Sequence, residues 1–248
     1  MITLNSLVPP TKRPLITTIC ADAGMGKTSL ASLWPSPVFI RTEDGSRAIE
    51  GRQDVALFPV AKTTADVFEA LQALATEESP FHTVIIDSVT RFNTMAESEI
   101  VAEDGAKSIN QACGGYGAGY AAASAKHREL FDACQYLADV KGMHIVFIAH
   151  ADVETLDLPD QPQFSRYTIR MNKKSVCHYT DNVDLVAFIK LQMFTTGKAE
   201  DQVKKATSTG KRIVTCYPTP AHVSKNRLGI KVDLDFPEGV NPFAEYLL

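Results

Sequence analysis

Nowhere in the 248 residues does an apolar run approach the roughly 20 residues that a bilayer-spanning helix needs. The longest runs, such as 144–149 and 183–189, fall well short, so no transmembrane helix is expected. A secretory leader is not expected either, because MITLNSLVPPTKRP places prolines and basic residues where an unbroken apolar stretch would have to stand. The expected location is the cytoplasm. Cysteine is scarce: Cys20, Cys113, Cys134, Cys177 and Cys216 form no CxxC pair, and an odd number argues against a disulfide framework. They are read as reduced and mostly buried. Cys177 stands beside His178, but the second pair of ligands that a zinc site requires is missing. Positive charge is also in deficit. With a formal net charge of −4 the surface as a whole does not attract nucleic acid, and any such site must be a local basic patch.

What is present is enough apolar material, 45% of residues, for one large core. With no internal repeat and no low-complexity linker, a single domain over residues 1–248 is expected. Strand-like apolar runs at 15–20, 38–41, 55–60, 83–87, 144–150, 183–190 and 212–217 alternate with segments of helical period. That alternation predicts an α/β fold with a mostly parallel central sheet flanked by helices. Val67, Leu71 and Leu74, and again Leu130, Cys134 and Leu137, fall at helical spacing and are core stripes. Two stretches read as long irregular loops: 104–120, rich in glycine, and 151–181, polar with a basic centre.

The chemistry concentrates at ADAGMGKTS, residues 21–29. A P-loop reads GxxxxGK[ST] between a strand and a helix, because successive backbone N–H groups must curl around phosphate oxygens at a helix N-terminus. LITTIC supplies the strand and SLASLW begins the helix, while Ala21 replaces the first glycine. The expected phosphate cradle is Asp22, Ala23, Gly24, Met25, Gly26, Lys27, Thr28 and Ser29, with Lys27 bridging the terminal phosphates of ATP and Thr28 ligating Mg²⁺. HTVIIDSVT places Asp87 at the end of a buried strand, where it would hold the same Mg²⁺ through water; it also suits the N-cap of the next helix. The strand of VFIRTEDG ends in two acids, Glu43 and Asp44, and each is a candidate for the base with a solvated turn acid as the alternative. His150 ends HIVFIAH beside the nucleotide and is a candidate γ-phosphate sensor.

Taken in order, ADAGMGKT, FIRTEDG, VIIDSVT, FIAH and KNRLG resemble the motif series of the RecA-like ATPases. Within these the sequence resembles the short, core-only phage recombination proteins that accompany single-strand annealing. GGYGAGY at 114–120 is similar to a Gly-Tyr motif of that subgroup. The resemblance implies a RecA-like P-loop NTPase core and prefers Glu43 over Asp44 as the catalytic glutamate. It likens KNRLG to the KNRFG motif of RadA-type proteins, with Leu228 for Phe, and thereby implies that Lys225 and Arg227 reach a neighbour's nucleotide or DNA; otherwise KNRLG reads as a basic β-turn. RecA proper has a glutamine where His150 stands, and a polymerising N-terminal segment where some fourteen residues precede the first strand here.

The resemblance also implies that the two irregular stretches bind DNA. The second contains RYTIRMNKK, where Arg166, Arg170, Lys173 and Lys174 flank Tyr167; cations that track phosphates beside a ring that stacks on bases suit single strands. The first offers Lys107, Tyr116 and Tyr120. The expectation is an ATP- and Mg²⁺-dependent homo-oligomer, ring or filament, acting on single-stranded DNA in recombination or annealing, with no membrane partner. The alternatives are a non-DNA motor or regulatory ATPase on the same core, and a scaffold that binds ATP and seldom hydrolyses it.

Overall fold

Every residue of LITTIC is buried in the computed structural model, which describes residues 3–7, 9, 11–196 and 205–247. The β-branched residues of that run fit a strand covered on both faces. In chain order the elements are β1 (Ile16–Ala21), α1 (Lys27–Ala31), β2 (Pro37–Arg41), β3 (Ala56–Leu57), α2 (Thr64–Thr76), β4 (Thr83–Asp87), α3 (Val89–Asp104) and α4 (Ala118–Lys141). There follow β5 (His144–Leu156), β6 (Phe164–Ile169), α5 (Lys173–Thr180), β7 (Leu185–Thr196), β8 (Lys205–Thr215), β9 (Lys225–Asn226) and β10 (Leu234–Asp235).

The sheet runs β10-β8-β7-β1-β5-β4-β2-β3. All pairings from β7 to β3 are parallel; β8 and β10 extend the sheet antiparallel, and β9 pairs antiparallel with the start of β7. Strand side chains alternate between faces, so each parallel strand feeds two cores. Val38, Ile40, Val84, Ile86 and Phe147 face Val67, Leu71, Leu74, Leu130 and Leu137 of α2 and α4. Phe39, Ile85 and Ile148 face Leu30 and Trp34, with Phe236 and Phe243 from the C-terminal stretch. The parallel arrangement sets the C-terminal ends of β1, β2, β4 and the central part of β5 along one edge, where open α/β sheets bind ligands.

Of the two stretches expected to be irregular, the second is largely regular, while the first stays irregular over residues 105–117 apart from a short helical turn at Ala112–Gly114. Residues 151–169 form an antiparallel hairpin: β5 continues past His150 to Leu156 and pairs with β6 from Ala151↔Ile169 to Leu156↔Phe164. Its outer half alternates polar residues on an exposed ribbon, so no apolar pattern betrays it. Residues 173–180 form α5, capped by the Asn172 side chain on Lys174 N. In the first stretch α3 runs on to Asp104, and α4 starts at Ala118, taking in Tyr120. The alanines of AGYAAASA favour a helix without an apolar stripe to announce it.

One buried polar group makes the core sensitive to acid. His127 is fully buried between Tyr179 OH, 2.6 Å from Nδ1, and Asn93 Oδ1, 3.0 Å from Nε2. Asn93 turns its amide nitrogen to Glu97, so its oxygen accepts from Nε2–H and the neutral Nδ1 accepts from Tyr179. Burial pushes the His127 pKa down from 6.5 to about 3. The unfolded chain then binds the proton between those values and the folded one does not, so stability falls as pH drops below 6.5. At pH 4.5 His127 alone is expected to cost about 2–3 kcal/mol relative to pH 7. Urea unfolding at the two pH values measures this, and His127→Gln makes the pH dependence shallower.

Candidate active site

The loop leaving β1 turns through Gly24 and Gly26, at φ 76° and 93°, a left-handed conformation that side chains with a Cβ rarely adopt. Gly26 is the N-cap of α1, and Met25 tucks against the core below. Asp22, Ala23 and Gly24 are exposed, and Ser29 is half-buried on the first turn of α1. Ala21 occupies the first motif position without strain because it is still strand, paired with His150. Lys27 is buried, and its ammonium donates to the carbonyls of Ala21 (3.0 Å) and Asp22 (2.9 Å), which brace the base of the loop. Burial lowers its pKa, opposed by Cys20, Asp87, Glu43 and Asp22.

Thr28 donates its hydroxyl to Asp87 Oδ2 at 2.9 Å. Burial raises the Asp87 pKa to about 6; the charge of Glu43 adds to the rise, while the Thr28 hydrogen bond, Lys27 and His150 oppose it. A hydroxyl and a carboxylate beside a phosphate cradle fit Mg²⁺, which takes oxygen ligands, commonly one or two carboxylates with substrate phosphates. A divalent cation there would favour the charged carboxylate that burial disfavours. The N-cap of α3 is Ser88 and not Asp87: Ser88 Oγ accepts from Arg91 N at 3.2 Å, while the Asp87 carboxylate is engaged with Thr28.

Glu43 and Asp44 have separate environments. Glu43 Oε1 accepts from Ser88 Oγ at 2.8 Å and from His150 Nε2 at 3.1 Å. The His150 hydrogen bond, followed by that from Ser88 and the charges of His150 and Lys27, lowers its pKa against the cost of burial. Asp44 points outward, its side chain 75% exposed, with Arg41 Nη1 at 3.6 Å. His150 is thus held on Glu43, and its backbone ties it to α3 and to the hairpin: its N–H donates to Thr90 Oγ1, and its carbonyl accepts from Arg170 N–H, both at 2.9 Å.

Lys27, Thr28, Glu43, Asp87, His150 and Arg212 line one cleft of about 410 Å³. Two contributors were not anticipated from sequence. Ser88 follows the strand-end aspartate, and its neighbour there was a usable signal. Arg212 arrives from β8, and nothing in KRIVTCY distinguishes it from a solvated strand cation.

Lys225 and Arg227 lie elsewhere. Arg227 Nη1 meets Asp184 Oδ1 at 3.0 Å, and Asp184 Oδ2 accepts from Ile16 N at the start of β1, the end of the sheet opposite the loop. Lys225 donates to the Asp181 carbonyl. The hairpin cations are partly engaged: Arg166 and Lys173 share Glu154, at 2.7 and 3.8 Å, and Arg170 donates to the Ala151 carbonyl. Lys174 reaches the Gly117 carbonyl at 3.2 Å, which brings the two stretches into contact. Tyr167 packs its ring 5.0 Å from Phe188 and stays 38% exposed; Tyr116 is fully exposed, and Tyr120 shares a cleft with Arg170.

A phosphate-cradling loop on a central parallel strand, with Lys27, Thr28 and Asp87 converging on it, defines a P-loop nucleotide-binding protein of the ATPase type. The sequence profile of the AAA domain family matches residues 13–228, and the chain belongs to that family of AAA-type P-loop ATPases. No curated protein matches it. Among the described residues, no helix is long and apolar enough to cross a membrane.

Proposed function

We propose that the chain is a RecA-like, Mg²⁺-dependent ATPase that works as a homo-oligomer on single-stranded DNA, in recombination or strand annealing. The observation that carries the hydrolytic part is Glu43, held by Ser88 and His150 in the same cleft as Lys27, Thr28 and Asp87. In-line attack on the γ-phosphate needs a group that orients water and takes its proton, and Glu43 is the carboxylate so placed. Lys27 neutralises charge on the phosphate oxygens. Mg²⁺, held by Thr28 and Asp87, would supply further neutralisation of that charge.

Support for DNA coupling comes from β5, which carries His150 at its middle and the basic hairpin at its end. A ligand on the hairpin would bear on His150 and through it on Glu43. Hydrolysis measured with and without single-stranded DNA, at two protein concentrations, tests the whole reading. DNA stimulation and a steeper than linear dependence on protein are expected. Turnover indifferent to DNA favours a non-DNA motor or regulatory ATPase, and turnover at background favours a nucleotide-dependent scaffold.

The hairpin makes a separate prediction. Replacing Arg170, Lys173 and Lys174 by Ala removes three potential phosphate contacts, and the slope of log affinity against log salt falls by roughly two. Tyr167→Ala costs on the order of 1–3 kcal/mol through lost stacking with little change in slope. DNA titrations over a salt series read both; an unchanged slope in the triple variant rules out this surface.

Lys225 and Arg227 act, in this reading, on a neighbouring subunit, since they sit at the far end of their own sheet. Mixing inactive Lys27→Ala with inactive Arg227→Ala chains is then expected to restore part of the ATPase activity, because one mixed interface pairs an intact loop with an intact Arg227. No recovery in demonstrated mixed oligomers assigns Arg227 to DNA contact or to structure.

A further inference from the structure

Arg212 lies on β8, opposite Leu191 of β7 and just before a bulge in that pairing. Its carbonyl accepts from Phe236 N–H at 3.0 Å, and the Phe236 ring lies under its guanidinium, 4.6 Å from the ring centre. That ring is almost fully buried, so it fixes the plane of the guanidinium. Among the described residues no hydrogen bond or ion pair to a carboxylate or carbonyl is made by the Arg212 guanidinium. Arg212 instead lines the cleft that holds Lys27, Thr28 and Glu43, with Nη1 beside Gly26.

The arginine packs directly against the loop. A Cβ on Gly26 would overlap Arg212 Nη1 and come within 3.4 Å of Phe236 Cε1, so the glycine that curls the loop also makes room for the guanidinium. Strand order then fixes the flank. From β1, Arg212 stands two strands away through β7, whereas Glu43 follows β2, three strands away on the other side. Arg212 and the hydrolytic group therefore bracket the loop from opposite sides. The cleft otherwise sets Lys27 against Glu43 and Asp87, which leaves a polyanion short of cations.

We propose that Arg212 binds the phosphate chain of the nucleotide in cis, at the end away from the γ-phosphate, with Phe236 holding its guanidinium in place. This rests on the reading of the cleft as an ATP site. It makes the C-terminal β8–β10 extension part of the nucleotide site and assigns Arg212 to nucleotide retention, with ATP and ADP gripped alike.

Calorimetric titration of the full-length chain with ADP and with ATP, both with Mg²⁺, tests it in the wild type, Lys27→Ala, Arg212→Ala, Arg212→Lys and Phe236→Leu. Thermal melting confirms that each variant is folded. Arg212→Ala is expected to weaken ADP and ATP by a similar factor, about tenfold or more, the scale of a lost charge-assisted hydrogen bond. Arg212→Lys recovers part of the loss, and Phe236→Leu shows a smaller loss in the same direction. Unchanged affinity for both nucleotides in a folded Arg212→Ala chain, with Lys27→Ala impaired, overturns the proposal while leaving the nucleotide site intact. Loss confined to ATP overturns it too, by placing Arg212 at the γ-phosphate. A wild type that binds neither nucleotide overturns the reading of the cleft itself.

Discussion

Glu43→Gln is expected to lower kcat for ATP hydrolysis by about 10² or more, the usual scale of a general base, while leaving ATP affinity near the wild-type value. The substitution keeps the shape of the side chain and its contacts with Ser88 Oγ and His150 Nε2, so the cleft survives. What goes is the charge that attracts and orients water. Both hydrogen bonds fall on Oε1, which leaves Oε2 to accept from the attacking water. The lowered pKa keeps Glu43 ionised below the usual carboxylate range, so the acid limb of the activity profile should not be set by Glu43 in the neutral region. Single-turnover hydrolysis separates this from a binding defect. If Asp44→Asn shows the loss and Glu43→Gln does not, the base is Asp44, despite its exposure and its pairing with Arg41.

Lys27→Ala is expected to abolish turnover and to weaken ATP binding. Its ammonium has two of three donors on the carbonyls of Ala21 and Asp22, so it braces the loop and keeps one donor for a phosphate. Removing it therefore takes away a cation and the brace at once. Both ATP and ADP affinities should fall, whereas Glu43→Gln spares them, and direct binding measurements distinguish the two patterns. Wild-type hydrolysis by Lys27→Ala would remove the basis for placing nucleotide in this cleft.

Local spacing sufficed for residues whose geometry is written into consecutive backbone. Gly26, Lys27 and Thr28 are adjacent, so a strand, a left-handed turn and a helix start place all three: Gly26 caps α1 at φ 93°, and Lys27 and Thr28 open its first turn. Asp87 was legible for a similar reason: TVIID is buried throughout, and a strand so buried delivers its last residue to the ligand edge. The strands of the core were also legible, because apolar runs of four to eight residues bounded by turns admit few alternatives. The hairpin at 151–169 was not. Its ribbon is paired but largely solvated, and pairing partners eight to eighteen residues apart leave no period in the sequence.

By itself, then, the sequence determined the P-loop, the strand-end aspartate and a mostly parallel α/β sheet, since each follows from backbone chemistry or burial over a few adjacent residues. Only the tertiary structure separated Glu43 from Asp44, neighbours that a twist of chain sends to different surroundings: one to Ser88 and His150, the other outward beside Arg41. It alone brought Arg212 to the loop, 186 positions along the chain from Gly26, and carried Lys225 and Arg227 to the opposite end of the sheet. Those placements depend on which strands lie side by side, β8 beyond β7 and β9 against its start. Strand order is set by how whole faces pack and cross over, and no short window of residues encodes it.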